Sequence, residues 1–333
     1  MYFQIETVLD QYGLKDAKIS KGRGVLLCEK EQRLYALKEY DRSPKKADFL
    51  YQLGEFLQSR GFITDGLVEN LNGEPVSEGV DGIRYTLHRW YRGRECDIRS
   101  RVDILNAVGW LARFHMVVRE FPWEQKDTFL VQTPENEYER HNRELRKIYR
   151  FVAKRKQKSD YERLFLKSYP LFYQQCEELQ ALMESKQEEG LSPWPGYGLC
   201  HGDFNYHNFL FSATRPVVVH FEKAEYDLQI FDFCNFKRKV MEKHGWDCQL
   251  GFDMLREYHR YCPMDEGTFW QMYMRLAYPE KFWKLANRYY VSNKTWISRQ
   301  NCEKLEKEIG QNERRCGYLE ELQKNNPIMF GKK

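Results

Sequence analysis

The chain is predicted to fold as an α+β protein of two lobes, a small β-rich one at the N-terminus and a larger, mainly helical one after it. Three observations carry this expectation. Runs of β-branched and aromatic residues separated by Gly-containing turns dominate the first ninety residues. From about residue 100 onward, apolar residues recur at helical spacing. Within the helical part, the polar stretch His201-Gly202-Asp203-Phe204-Asn205-Tyr206-His207-Asn208 runs into two short β-rich segments, which sets a loop beside a hairpin. The expected division is 1–91 and 92–333.

Composition supports a folded chain and narrows its function. With 42% hydrophobic and 15% aromatic residues, the 333-residue chain is too apolar for a disordered protein. Lys and Arg (53) nearly balance Asp and Glu (49), so the net charge of +4 gives no reason to expect a nucleic-acid partner. The N-terminus lacks a basic region followed by an apolar run, and no apolar stretch is long enough to span a bilayer. Cytoplasmic synthesis without membrane insertion is expected. The nine cysteines show neither CxxC pairs nor His partners at zinc-ligand spacing, and they read as reduced packing residues.

The first forty residues read as strands. Ala17–Ser20 and Val25–Cys28 flank Lys21-Gly22-Arg23-Gly24, either an ordinary hairpin turn or one whose N–H groups cover phosphates. In the next strand, Leu34–Tyr40, alternation puts Ala36 and Lys38 on one face, an arrangement that lets an ammonium reach nucleotide phosphates. Ser43-Pro44 then begins a helix, with Ser as N-cap and Pro at its first position, and Gly61 ends it. Glu55 lies beside the apolar stripe of Leu50, Leu53, Phe56 and Leu57 and is the expected partner of Lys38. Asp48 is the alternative partner, and a solvated Glu55 the plainer reading.

After a polar, Gly-containing passage from Asn70 to Gly82, Ile83–Trp90 reads as a strand entering a hinge at Tyr91–Glu95. Ser100–Asp103 resembles a capping box that opens a helix. A helical hairpin insertion is expected at about 135–187, broken near Gln157–Asp160 and kinked or ended by Pro170. Its first arm is rich in Arg and Lys, including Arg140, Arg143, Arg146 and Arg150. That face is either solvated or docks an anionic partner. The tail from Gln311 is polar and expected to fray.

The chemistry concentrates in the HGDxxxxN stretch. In a kinase-type phosphotransferase, the carboxylate, here Asp203, takes or orients the proton of the attacking hydroxyl. The asparagine five residues later, here Asn208, binds a metal ion. Asn208–Phe211 and Val217–Phe221 should form an antiparallel hairpin. If it is symmetric about Thr214, Asn208 and His220 face each other across the strands. Magnesium prefers oxygen donors, so an imidazole at position 220 weakens such a site. Glu222, expected on the same strand face as His220, either restores the metal or leaves the site to a softer ion, to nucleotide alone, or to no nucleotide.

The HGDFNYHN loop, the Tyr226–Phe233 run, and Tyr278-Pro279-Glu280-Lys281-Phe282-Trp283-Lys284-Leu285-Ala286-Asn287-Arg288-Tyr289-Tyr290 with Asn293–Trp296 resemble the CotS family of bacterial spore coat proteins. That family lies within the aminoglycoside phosphotransferase and choline kinase superfamily. The resemblance extends from about Lys18 to Ile309 and implies a bilobal protein-kinase-like fold. It also implies Lys38 as the phosphate lysine, Glu55 as its partner, Asp203 as the catalytic carboxylate and Asn208 as a metal ligand. His201 and Asp232 would be structural, Asp232 anchoring the loop. Relatives carry Asp-Phe-Asp or Asp-Phe-Glu where this chain has His220-Phe221-Glu222.

The implied function is a coat-assembly protein, made in the mother cell and placed in the spore coat among other coat proteins. ATP and Mg are its implied cofactors, with phosphotransfer weak or lost because of His220. The alternative is an active ATP-dependent phosphotransferase acting on a hydroxyl of a small molecule or coat protein.

Overall fold

The computed structural model describes residues 2–22, 24–122, 134–189, 197–213, 215–291 and 299–325. Two compact units emerge, and they do not divide at residue 91. The first comprises residues 1–128 with 199–225, and the second 129–198 with 226–333. The polar loop and its hairpin therefore group with the N-terminal sheet.

The first unit begins with a helix, α1 (Tyr2–Asp10), where strands were expected. Ile5, Val8 and Leu9 repeat at helical spacing and pack with Cys28, Leu37 and Leu87 of the sheet, and that burial selects the helix. β1 (Lys18–Lys21), β2 (Leu26–Lys30) and β3 (Arg33–Glu39) follow. α2 (Pro44–Ser59) comes next, then β4 (Ile63–Thr64), β5 (Leu67–Val68), β6 (Ser77–Glu78), β7 (Arg84–Trp90) and β8 (Arg94–Glu95). The main sheet runs β1-β2-β3-β7-β5, with β6 also on β7.

Two helix starts follow their sequence signals. The Ser43 hydroxyl accepts from Lys46 N to cap α2, and the Ser100 hydroxyl accepts from Asp103 N to open α3 (Arg101–Val117). β9 (Tyr197–Cys200) leads into the polar loop. β10 (Phe209–Phe211) and β11 (Pro216–Val218) then join a second sheet, ordered β4-β11-β10-β8. Trp110 of α3 stacks on Phe114 and Phe204 and meets the edge of Phe209, which fixes the hairpin and the loop against α3.

The second unit holds the long pair α4 (Pro134–Lys154) and α5 (Asp160–Glu188), then β12 (Glu225–Leu228), which starts at the boundary. α6 (Ile230–Met241), α7 (Cys248–Tyr261), α8 (Glu266–Ala277), α9 (Glu280–Val291) and α10 (Arg299–Lys324) complete it. The break between α4 and α5 falls where the sequence placed it. α5 nevertheless continues through Pro170 instead of ending there. The C-terminal segment from Gln311 is not frayed up to Lys324, since Arg315, Tyr318, Leu319 and Leu322 of α10 are buried.

The Tyr278–Tyr290 block is the packing centre of this unit. Tyr278 stacks on Tyr138 with centroids 4.3 Å apart, and Phe282 stacks on Phe172 at 4.3 Å and Phe165 at 5.5 Å. Trp283 lies 3.4 Å from the His141 ring centroid and donates to Glu144. Glu280, nearly fully buried, pairs with Arg238 and Arg275. Burial would raise the Glu280 carboxyl, but the two guanidiniums hold it below the usual carboxylate range. Asn293–Trp296 lies outside the described residues.

Candidate functional site

The first unit contains a polar cluster centred on Lys38. Strand alternation puts Ala36 and Lys38 on one face, paired in register with His88 and Thr86 of β7. Lys38 Nζ donates to Asp65 Oδ2 at 2.9 Å and to Glu222 Oε1, and it lies 5.4 Å from the centroid of the Trp90 ring. Burial alone would pull this ammonium down, but Asp65 and Glu222 together hold it above the ordinary lysine value. Burial would likewise raise Glu222. The nearby His220 ring and the charge of Lys38 outweigh it and push the carboxyl far below the normal range.

Glu55 is not the partner of Lys38. It is exposed on α2 and forms an ion pair with Arg89 Nη1 at 2.9 Å, while Asp48 is also exposed. The buried acid comes from the segment between β4 and β5. Gly54 of α2 lies against Gly66, where a Cβ would come within 3.0 Å of the Gly66 Cα, and this close approach adjoins the buried Asp65. Nothing in the local pattern Thr64-Asp65-Gly66 marks an ion pair with a residue 27 positions earlier.

His88 completes the buried side of the cluster. Its Nδ1 lies 2.9 Å from the Asp65 carbonyl oxygen and its Nε2 3.1 Å from the Thr86 hydroxyl. Because a carbonyl only accepts, Nδ1 carries the proton and Nε2 receives the Thr86 O–H. Burial first, then the Lys38 charge, lowers this imidazole to about 4.

The hairpin register also differs from expectation. Phe209 pairs with Val218 and Leu210 with Val217, so the strands are symmetric between Ala213 and Thr214, half a residue from the expected centre. Asn208 consequently faces Val219, whose N–H donates to the Asn208 carbonyl at 3.0 Å. His220 lies one residue beyond, with φ 71° and ψ 51°, a left-handed conformation that takes it off the strand. Its N–H donates to Asp65 Oδ2 at 2.9 Å. Glu222 is not on a strand face either. It belongs to a single 3-10 turn, Phe221–Lys223, which brings its carboxylate onto Lys38.

The HGD loop is self-clamped. His201 is fully buried, with Nε2 bonded to the Val219 carbonyl and Nδ1 accepting the Asp203 N–H. The Asp203 carboxylate accepts from Asn205 Nδ2 at 3.2 Å and from Lys223 Nζ at 3.0 Å. Asn208 Nδ2 donates to the Asp203 carbonyl, leaving its Oδ1 as the atom able to take a cation. Gly202 has φ +77°, and a Cβ there would run into the Lys223 carbonyl oxygen. Glycine thus lets the loop pass against the turn that carries Lys223. Sequence reasoning missed Lys223, because its pairing with Asp203 depends on that crossing.

Asn205, Asn208 and His220 line one side of a cleft of about 670 Å³, faced by Gly22, Leu27, Leu34, Trp90 and Tyr91. This volume is in the range of small-molecule sites. The Gly22 turn therefore does border a cavity. Asp232, the last of the expected residues, is buried in the first turn of α6, within the second unit.

A family model described as "Spore coat putative kinase YutH" matches residues 5–322. Spore coat protein S of Bacillus subtilis (strain 168) is 23% identical over 332 residues, covering 94% of this chain and 90% of that protein. Among solved structures, an aminoglycoside phosphotransferase from Alicyclobacillus acidocaldarius superposes with a TM-score of 0.84 at 18% identity, covering 97% of this chain and 96% of the other. The amicoumacin kinase hAmiN, in complex with AMP-PNP, Ca2+ and Ami, gives 0.58 at 14% identity, with 90% and 88% covered. The kinase-like fold expected from the HGD loop is the fold of the chain, with an N-terminal sheet region and a larger helical part. The protein belongs to the spore coat family of kinase-like proteins whose model matches it from residue 5 to residue 322.

Proposed function

We propose that the protein acts in spore coat assembly, made in the mother cell and deposited in the coat, with phosphotransfer chemistry weak or lost. The observation that carries this reading is the double engagement of Lys38 by Asp65 and Glu222. One such ion pair is what a kinase lysine keeps while it holds phosphates, but two carboxylates outnumber its charge and compete with phosphate for it. Lys38, Asp203 and His201 belong to the first unit. Lys38 would be the phosphate lysine and Asp203 the proton-accepting carboxylate, with His201 as a support, while Asp232 would have a structural role within the second unit. The cleft beside Asn208 would receive ATP. Lys223 Nζ also pairs with the Asp203 carboxylate at 3.0 Å and occupies the place a substrate hydroxyl would approach.

The donors do not fit magnesium. Of the two expected metal ligands, Asn208 offers only its amide Oδ1, and Glu222 pairs with Lys38, which any ion there must displace. His220 contributes a neutral nitrogen where a hard dication needs a carboxylate oxygen. The basic face of α4, with Arg143, Arg146, Lys147 and Arg150 exposed, would meet acidic coat proteins. The second reading, an active ATP-dependent phosphotransferase, is favoured by Lys38, Asp203 and Asn208 lying in one compact unit.

Thermal stabilisation by ATP, with and without Mg2+, separates the two readings when the native protein is compared with His220→Asp. The expected result is no magnesium-dependent stabilisation of the native protein and its appearance in His220→Asp. Strong stabilisation of the native protein by Mg-ATP would contradict a scaffold role.

A further inference from the structure

Among the described residues, one group of three metal-binding side chains brings its donor atoms within 4.8 Å of one another: Asp65, His220 and Glu222. We propose that this group is a binding site for a borderline divalent transition ion, such as Zn2+ or Co2+, and that Lys38 is the cation it displaces. The site differs from a magnesium site shared with Asn208, because its donors are one nitrogen and two carboxylates, one of them from the segment between β4 and β5.

Geometry and charge both support it. His220 Nδ1 lies 3.7 Å from Glu222 Oε1. Donors on a tetrahedral ion with bonds of about 2.0 Å stand roughly 3.3 Å apart. Lys38 Nζ already occupies the gap between the two carboxylates. A unipositive ammonium leaves one of those two negative charges uncompensated. A dication in its place cancels both. Imidazole favours zinc and cobalt over magnesium, so the His at position 220 changes which ion the site selects rather than abolishing cation binding. His220 and Glu222 are about one-third exposed, which gives the ion a path in, whereas Asp65 is almost fully buried. The left-handed turn at His220, tied through its N–H to Asp65 Oδ2, holds the imidazole and both carboxylates in one place without requiring nucleotide.

The test is Co2+ titration of the metal-free full-length protein, followed by visible absorption, with Zn2+ and Mg2+ as competitors. The expected result is one equivalent of Co2+ in a low-symmetry site, displaced by Zn2+ and not by millimolar Mg2+. His220→Ala should weaken binding by about tenfold or more. Lys38→Met should tighten it by a similar factor, because the competing ammonium is gone. Asp65→Asn serves only if it folds, and the partly exposed His220 keeps the test independent of that variant. An absent cobalt spectrum would overturn the proposal. So would a spectrum unchanged by His220→Ala, one lost on His207→Ala, or an affinity unaltered by Lys38→Met. None of these readouts depends on ATP binding, so the result stands apart from the proposed coat function.

Discussion

Lys38 Nζ donates to Asp65 Oδ2 at 2.9 Å, and this pair, with the Asp65 side chain almost wholly buried, anchors the first unit's polar cluster. Removing one member of such a pair strands the other charge in low dielectric. Asp65→Asn is expected to destabilise the protein by about 3 kcal/mol. Glu55→Gln, which disturbs only an exposed pair with Arg89, should cost less than about 1 kcal/mol. Urea denaturation of both variants checks the ranking, and an equal effect would restore Glu55 as the structural partner.

The loop crossing at Gly202 gives a second prediction. Gly202→Ala demands both a left-handed alanine and displacement of the Lys223 backbone. The expected loss is about 2 kcal/mol or more, read as a lower melting temperature. Gly73→Ala has the same positive φ with no atom within 4 Å, and it should lose only about 1 kcal/mol.

Acid stability should depend on His88. Its folded-state value, near 4, lies below that of an unfolded histidine, so between about pH 6.5 and 4 the unfolded chain binds a proton that the native protein refuses. Stability is therefore full above pH 6.5 and falls as the pH drops through this window, by about 3 kcal/mol in all from this residue. His88→Gln, measured by denaturation at pH 7 and pH 4.5, should show a smaller loss on acidification than the native protein.

The Tyr278–Tyr290 block should behave as core. Phe282 is fully buried between Phe165 and Phe172, and Phe282→Ala is expected to lose about 3–5 kcal/mol. Lys284→Ala, at an exposed site on the same helix, should lose less than about 1 kcal/mol. A comparable loss for both, by chemical denaturation, would mean that the block is not the unit's packing centre.

These residues also show what the sequence made legible. Local rules located Ser43 and Ser100 as caps, the break between α4 and α5, and the Ala36–Lys38 face, because each depends on neighbours within one turn or one pleat. The HGDxxxxN spacing pointed to the fold for the same reason. The partner of Lys38 was not legible, since the choice between Glu55 and Asp65 rests on the Gly54–Gly66 contact, which brings distant segments together. The hairpin register missed by half a residue, and that small shift moved His220 off the strand and beside Asp65. α1 escaped because its helical pattern is short and is stabilised by burial against the sheet.

The central claim, that His220 and the Lys38 cluster leave this kinase-like site without an effective magnesium position, is tested most directly by ATP turnover of native protein and His220→Asp in Mg2+ and in EDTA. The account predicts that native turnover is the same in both and that His220→Asp gains a magnesium-dependent rate. Magnesium-dependent turnover by the native protein at about 1 s⁻¹ or faster, the range of working kinases, would contradict it.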